Sequence, residues 1–444
     1  QLWFDCVVYE DHKHIICSPV ATNFGLHQCV LFLWKQARDN VLNISTQKSK
    51  SEDISWTTSQ PQKAMTSPRC RHVSLVTIAV VCLLTTAPGQ LNTPLMTLDR
   101  LRDEFSVLMF NFVMSQDRYR GHNVAAPFSN IYYFLLAMSQ VTEGQAQAEI
   151  KRTLGIQNFT DETIVKYCLT ANRKRKLESM KMESTLSHDE RVKISESQKD
   201  LFLADFTSDE KLLAYFWMGP PTYLEFNSTC QPQMKWGVHF TTLRDPEAFQ
   251  LTNGTTILVP VIKHTGFTYT SADSLGGRFV FLETGERALI FLLYTPPEGK
   301  DVQHVTLLKL KVALKNRAPT CVTLVMPKLH IRSRIDLNDS LGVLGVTTMF
   351  SSDHSGITKM DNRSELEVTK AEQFTDIHVT EYGIGVTGDP RTEEAPGCDH
   401  PELVQINRPF VFGILNVITQ EVVSLGHVAQ PDVDRPTVAQ PDVD

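Results

Sequence analysis

The chain lacks the motifs that mark common enzymes. Its 444 residues contain no Gly-rich phosphate loop, no Gly-x-Ser-x-Gly turn and no His-Glu-x-x-His pair. No catalytic residue and no cofactor is therefore expected. Its nine cysteines include no Cys-x-x-Cys pair and no His-rich neighbourhood, which argues against a metal site. Excess positive charge is missing too. The net charge is −7, which does not suggest a nucleic-acid binder. The apolar run Val73 to Leu84 is too short for a membrane span. No methionine precedes Met65.

What begins at Met65 has the pattern of a secretory signal. Arg69, Arg71 and His72 form a basic start, Val73 to Leu84 the apolar stretch, and Ala87-Pro88-Gly89 offers small residues for cleavage near Gln90. Residues 1–64 then read as an upstream extension foreign to the native product, and 65–89 as the signal peptide. The alternative is a real extension with Val73–Leu84 as a buried strand. Downstream sequons start at Asn158, Asn227, Asn253, Asn338 and Asn362. Asn338 falls on a helix start, which leaves Asn158, Asn227, Asn253 and Asn362 as the glycosylation candidates. Cys168, Cys230, Cys321 and Cys398 allow three pairings between which sequence cannot choose. Unpaired cysteines are the expectation. A hydrophobic content of 42% and a charged content of 21% are globular values.

Leu98, Leu101, Phe105, Leu108 and Phe112 share one face at helical spacing. Asn123 to Ile131 reads as a strand-like entry into a second apolar helix, Tyr132 to Val141. Leu212 to Met218 is an unbroken apolar run ended by Pro220 and Pro221, the pattern of a central strand. Phe279–Glu283 and Ala288–Leu293 read as paired strands closed by Pro296-Pro297-Glu298-Gly299. Arg173, Lys174, Arg175 and Lys176 would attract a polyanion such as heparin, or form a solvated helix face. Val-Ala-Gln-Pro-Asp-Val-Asp occurs at 428–434 and again at 438–444, which marks 432–444 as a disordered repeat tail.

The stretch Thr375 to Phe412 organises the rest. An apolar-polar alternation ends in Thr380-Glu381-Tyr382-Gly383, a long polar run follows, and Asn407-Arg408-Pro409-Phe410-Val411-Phe412 returns as a strand. Long loops without structure of their own are usually functional or disordered. These flanks resemble those of the serpins, where Glu-x-Gly opens the reactive-centre loop and Asn-(Arg/Lys)-Pro-Phe closes it. Val368 to Gly383 is similar to the antitrypsin-like members without a gap. Leu324 to Ile331, Asp336-Leu337, Leu341 to Phe350, Ser355 to Thr358 and Leu425 to Val428 continue the resemblance in order. So do Gly144 to Gly155 and Lys235-Trp236 with Phe240.

The resemblance implies an α+β serpin fold with three β-sheets, about eight or nine helices and an exposed reactive-centre loop. The serpin domain would span 90–431, with 155–234 divergent and too short for the full set of middle helices. A missing helix would expose an apolar face of the main sheet. Trp236 would lie at the breach, where that sheet opens, and Ser129 and Asn130 at the shutter beneath it, with Pro127 and Asn130 where the family has serines. Glu381, Gly383, Ile384, Gly385, Val386 and Pro390 would form the hinge. Ile384, Val386, Gly388 and Pro390 would alternate with Gly385, Thr387 and Asp389. Pro390 cannot donate to a central ladder, so insertion should stall there. Family loop length puts the bait bond at Gly397 or Cys398, neither suited to a trypsin-like protease, with Cys398 a reactive exposed thiol. The expectation is a secreted extracellular monomer that has lost inhibition. Its partner would be a small hydrophobic ligand or a protein. The alternative is an inhibitor of an extracellular serine protease with loop 383–406 as bait.

Overall fold

The computed structural model describes residues 4–8, 15–19, 93–174, 178–189, 192–202, 204–209, 222–297, 300, 305–351, 353–360, 366–388 and 398–431. The chain divides into units 1–91 and 92–444. In the first, Phe4–Val8 pairs antiparallel with Ile15–Pro19; the proposed signal at 65–89 lies outside the described residues. The second contains three sheets, of nine, seven and two strands, and seven described α-helices.

The seven-stranded sheet carries the site. Its order runs from Asp205–Asp209 through Met182–Asp189 and Thr222–Cys230 to Leu366–Val379, with Leu329–Asp336 on the far side of the last. Thr222–Cys230 and Leu366–Val379 are parallel, paired from Leu366 opposite Thr222 to Thr375 opposite Cys230 with a bulge between Val368 and Lys370. The central strand is thus Thr222–Cys230, which alternates inward and outward residues. The apolar run 212–218, expected to fill that place, lies outside the described residues, as does the repeat tail from 432. Within the unbroken motif Leu324–Ile331 the chain changes sheet. Ala318–Pro327 belongs to the nine-stranded sheet and Leu329–Asp336 to the seven-stranded one, with Lys328 donating its backbone N–H to the Pro260 carbonyl (2.9 Å) between them.

Beneath the seven-stranded sheet lies the helix Phe128–Val141, buried at every position but Gln140. It begins four residues before the expected Tyr132. Pro127 sits at its N-cap, where a fixed φ and a missing N–H cost little. Phe134 stacks on Phe226 of the central strand at 4.0 Å. The preceding helix, Pro94–Ser115, turns Leu98 and Phe105 of the expected stripe fully inward and packs Leu101 and Phe112 against the core, but buries a wider face than that stripe. Leu108 is 44% exposed, whereas Arg102 and Asp103 are buried with Leu98, Phe105, Met109 and Val113. Arg102 is held by Asp99 (2.8 Å) and Asp103 (2.9 Å) and donates to Tyr133 and Tyr167. Periodicity assigns charged residues to solvent, so this internally paired cluster extends the real core face beyond the apolar stripe and leaves Leu108 outside it.

No described helix crosses the outward face of the seven-stranded sheet. That face is nevertheless not the apolar surface expected from a missing helix. Glu225, Asn227 and Thr229 alternate outward from the central strand, Glu372, Phe374 and Asp376 from its parallel partner, and Arg332 and Arg334 from the next. A polar outer side needs no covering layer.

The inward side holds Asn130. Its Nδ2 donates to Ser184 Oγ (2.9 Å) and Ser228 Oγ (2.8 Å), joining the helix to two adjacent strands. Replacing Asn130 with Ala should destabilise the fold by about 1–3 kcal/mol, because both buried hydroxyls lose the amide donor and are left with only the bond from Ser184 to Ser228 (3.1 Å). Denaturant unfolding of the variant checks this, and a change within error would show that the Ser184–Ser228 bond alone suffices.

Candidate functional site

Strand Leu366–Val379 does not run straight into an exposed loop. Thr380 and Gly383 exchange backbone hydrogen bonds (N–H of Thr380 to O of Gly383, 2.9 Å; the reverse, 3.3 Å). Glu381 and Tyr382 are thus the tip of a tight turn. Gly383–Ile384 then comes back antiparallel, with Ile384 opposite Val379. On its other side it pairs with Met234–Lys235, which follows the central strand in the chain. The first two residues after the turn therefore sit between the upper ends of the two parallel strands. Ile384 is fully buried there.

Two glycines make this placement possible. A Cβ on Gly383 would lie 2.0 Å from the Met234 carbonyl oxygen, and one on Gly385 2.0 Å from that of Pro232. Gly385 also has φ +62°, a left-handed conformation natural to glycine. Its N–H donates to the His378 carbonyl at 2.6 Å. That turn corrects the expected alternation: Ile384 is inside, Val386 is half-buried, and Thr387 and Gly388 are exposed. Pro390 lies outside the described residues.

Trp236 closes the top. Its indole Nε1 donates to the Thr380 carbonyl (2.7 Å) and its backbone N–H to Tyr382 O (3.2 Å). Its ring packs on Phe240 (5.5 Å) and Phe291 (5.6 Å). Lys328, placed by the change of sheet, reaches Glu381 at 2.7 Å. Burial is the largest single influence on Glu381 and opposes its ionisation, but the hydrogen bonds it accepts, led by that from Lys328, together with the Lys328 charge, outweigh it and hold the carboxyl below its ordinary pKa. Sequence reasoning quoted Lys328 only as part of a strand motif and gave it no role.

The far end of the loop is covalently held. Cys398 is disulfide-bonded to Cys321 in strand Ala318–Pro327. This overturns both the expectation of unpaired cysteines at these positions and the reactive thiol at Cys398. Cys168 and Cys230 are buried thiols. Past the disulfide, Glu402–Gln405 pairs parallel with Val322–Val325, so residues 402–405 belong to a sheet and not to a free bait loop. Arg408 donates to the Pro296 carbonyl (2.7 Å), and Phe412 stacks on Phe291 (5.5 Å). Gly397, Asn362, Arg175 and Lys176 lie outside the described residues; Arg173 and Lys174 end the helix Asp161–Lys174. Asn158 and Asn253 are exposed. No described helix is long and apolar enough to cross a membrane.

Comparison with known proteins agrees with this architecture. Residues 222–431 match the family model Serpin (serine protease inhibitor). That stretch is a serpin domain. Alpha-1-antitrypsin of Sus scrofa is 30% identical over 204 residues, 44% of this chain and 47% of that protein. Alpha-1-antiproteinase 2 of Equus caballus is 32% identical over 216 residues, 47% and 49% respectively. The chain thus spans about half the length of the curated relatives it matches. Among solved structures, native protease nexin-1 with heparin superimposes with a TM-score of 0.63 at 17% identity, covering 76% of this chain and 100% of that one. A thyroxine-binding globulin complex with thyroxine gives 0.64 at 17%, covering 76% and 99%. The fold is the serpin fold.

Two outcomes test this turn. Gly385→Ala should push Gly383–Ile384 out from between the strands and forfeit about 1.5–3 kcal/mol of Ile384 burial. Faster amide exchange at Ile384 and a lower melting temperature are the readouts; unchanged exchange would refute the close approach. The second concerns pH. A folded-state pKa below the ordinary glutamate value means that Glu381 stabilises the fold above that value and loses this contribution as pH falls through the folded one. Glu381→Gln should therefore flatten the acid limb of the stability profile and leave neutral stability lower than in the parent.

Proposed function

We propose that this is a secreted, extracellular serpin that does not inhibit proteases and acts by binding a small hydrophobic ligand or a protein partner. The observation that carries this reading is the anchoring of the loop at both ends. The hinge is lodged only as far as Ile384 before Gly385 turns the chain out of the strand direction. The other end is fixed by Cys321–Cys398. Beyond Gly388 the sequence offers Pro390, which cannot continue a central ladder. A loop that must become a new central strand after cleavage meets obstacles from its first steps. A structural neighbour of the same fold, thyroxine-binding globulin solved in complex with thyroxine, supports the small-molecule reading. The basic run Arg173 to Lys176 adds heparin-like polyanions to the partners under this proposal, and a neighbour was solved with heparin.

The second reading, serine protease inhibition, is favoured by the similarity to antitrypsin across the C-terminal half and by the intact Trp236–Thr380 contact. Incubation with trypsin-like and chymotrypsin-like proteases separates the two. The non-inhibitory reading expects cleavage without an SDS-stable complex, and cleaved protein that melts close to the intact protein. A covalent complex, or a large rise in melting temperature after cleavage, would establish the inhibitor instead.

A further inference from the structure

Among the glycosylation candidates within the described residues, Asn227 occupies a place that Asn158 and Asn253 do not. It lies mid-strand in Thr222–Cys230, and its neighbours Phe226 and Ser228 are buried below the sheet while Glu225, Asn227 and Thr229 face outward. Its register partner across the parallel seam is Glu372. Asn227, Ser228, Thr229, Arg334, Glu372 and Phe374 line an open depression of about 300 Å³ on the outward face. The rim is preset, since Arg334 donates twice to Glu372 (2.7 and 3.2 Å) and Lys370 reaches it at 3.1 Å. The Asn227 amide makes no hydrogen bond among the described residues. At the sequon residue Asn338, by contrast, the amide is committed, donating to Thr369 O (3.1 Å) and accepting from Ala371 N–H (2.8 Å) at the strand's bulge.

We propose that Asn227 is an N-glycosylation site whose first sugars lie in this depression and cover the seam between the two parallel strands. The proposal rests on the secreted reading, since the donor is a lipid-pyrophosphate-linked oligosaccharide of the secretory pathway. The Asn227 amide nitrogen replaces the pyrophosphate oxygen at the sugar's anomeric carbon. A C–N bond forms, the C–O bond breaks, and the displaced proton leaves with the lipid pyrophosphate. The acceptor tripeptide Asn227-Ser228-Thr229 is used on the extended chain, before Ser228 turns inward to Asn130. After folding, a sugar ring suits the cavity chemically. Its hydroxyls meet the Arg334–Glu372 pair, and its C–H face meets the half-buried ring of Phe374. Because the glycan is bonded to one strand and rests on the other, it links the two across the seam.

The test is mass spectrometry of protein secreted by mammalian cells, with amide exchange of Ser228 and Gln373 as the second readout. The expected result is an occupied Asn227. Asn227→Gln and Thr229→Ala, which remove the sequon in different ways, should both speed seam exchange severalfold. Asn158→Gln should lose a glycan without that effect, and Thr229→Ser should keep both glycan and protection. Bare Asn227 in secreted protein overturns the proposal. If Asn158 or Asn253 then carries a glycan, the secreted reading stands; if the protein never leaves the cell, that reading falls as well. An occupied Asn227 whose loss leaves seam exchange unchanged overturns the covering role.

Discussion

Thr222–Cys230 and Leu366–Val379 are parallel neighbours, and parallel strands cannot be joined by a hairpin. The chain between them must first travel through the nine-stranded sheet and return by the change of sheet at Lys328. The seam can therefore close only when most of the C-terminal half is in place, a non-local pairing of the kind that folds slowly. Below it, Asn130 gathers Ser184 and Ser228. Above it, Gly383–Ile384 is lodged between the strand ends.

The loop is coupled to both sheets through this arrangement. At the hinge, Trp236 and Lys328 fix the turn at Thr380 and Glu381, and each of those two residues also belongs to a segment that meets the nine-stranded sheet. Trp236 bridges to Thr284 and Lys328 is joined to Pro260. At the other end the disulfide and the parallel pairing of Glu402–Gln405 tie the chain to strand Ala318–Pro327. A movement of the hinge is thus not local, since it must displace contacts that hold the second sheet against the first.

Polar groups do much of the specifying. The buried cluster of Arg102, Asp103, Tyr133 and Tyr167 orients the first helix, and the Asn130 contacts set the second against the sheet. Such groups contribute little net stability, since desolvation offsets most of their attraction, but a misplaced one is costly. The outward face has the opposite logic. Its charges and amides remain in contact with solvent, and the sheet needs no helix to shield it.

Sequence alone established the family resemblance, the return strand and the expected place of a hinge, because ordered motifs such as Trp236, Thr380 to Gly383 and Asn407 to Phe412 survive as linear strings. It also named Gly383 and Gly385 among the hinge residues; the structure adds their close approach to Met234 and Pro232. The rest required tertiary contacts. Cys321 and Cys398 are separated by 77 residues, and nothing local distinguishes that pairing from the other two. The inward turn of Arg102 contradicts its hydrophobic pattern and depends on tyrosines from two other helices. The turn at Glu381-Tyr382 has no signal of its own, because the segment is equally able to continue outward. What brings it back is the gap between two strand ends, and that gap exists only once distant parts of the chain have met.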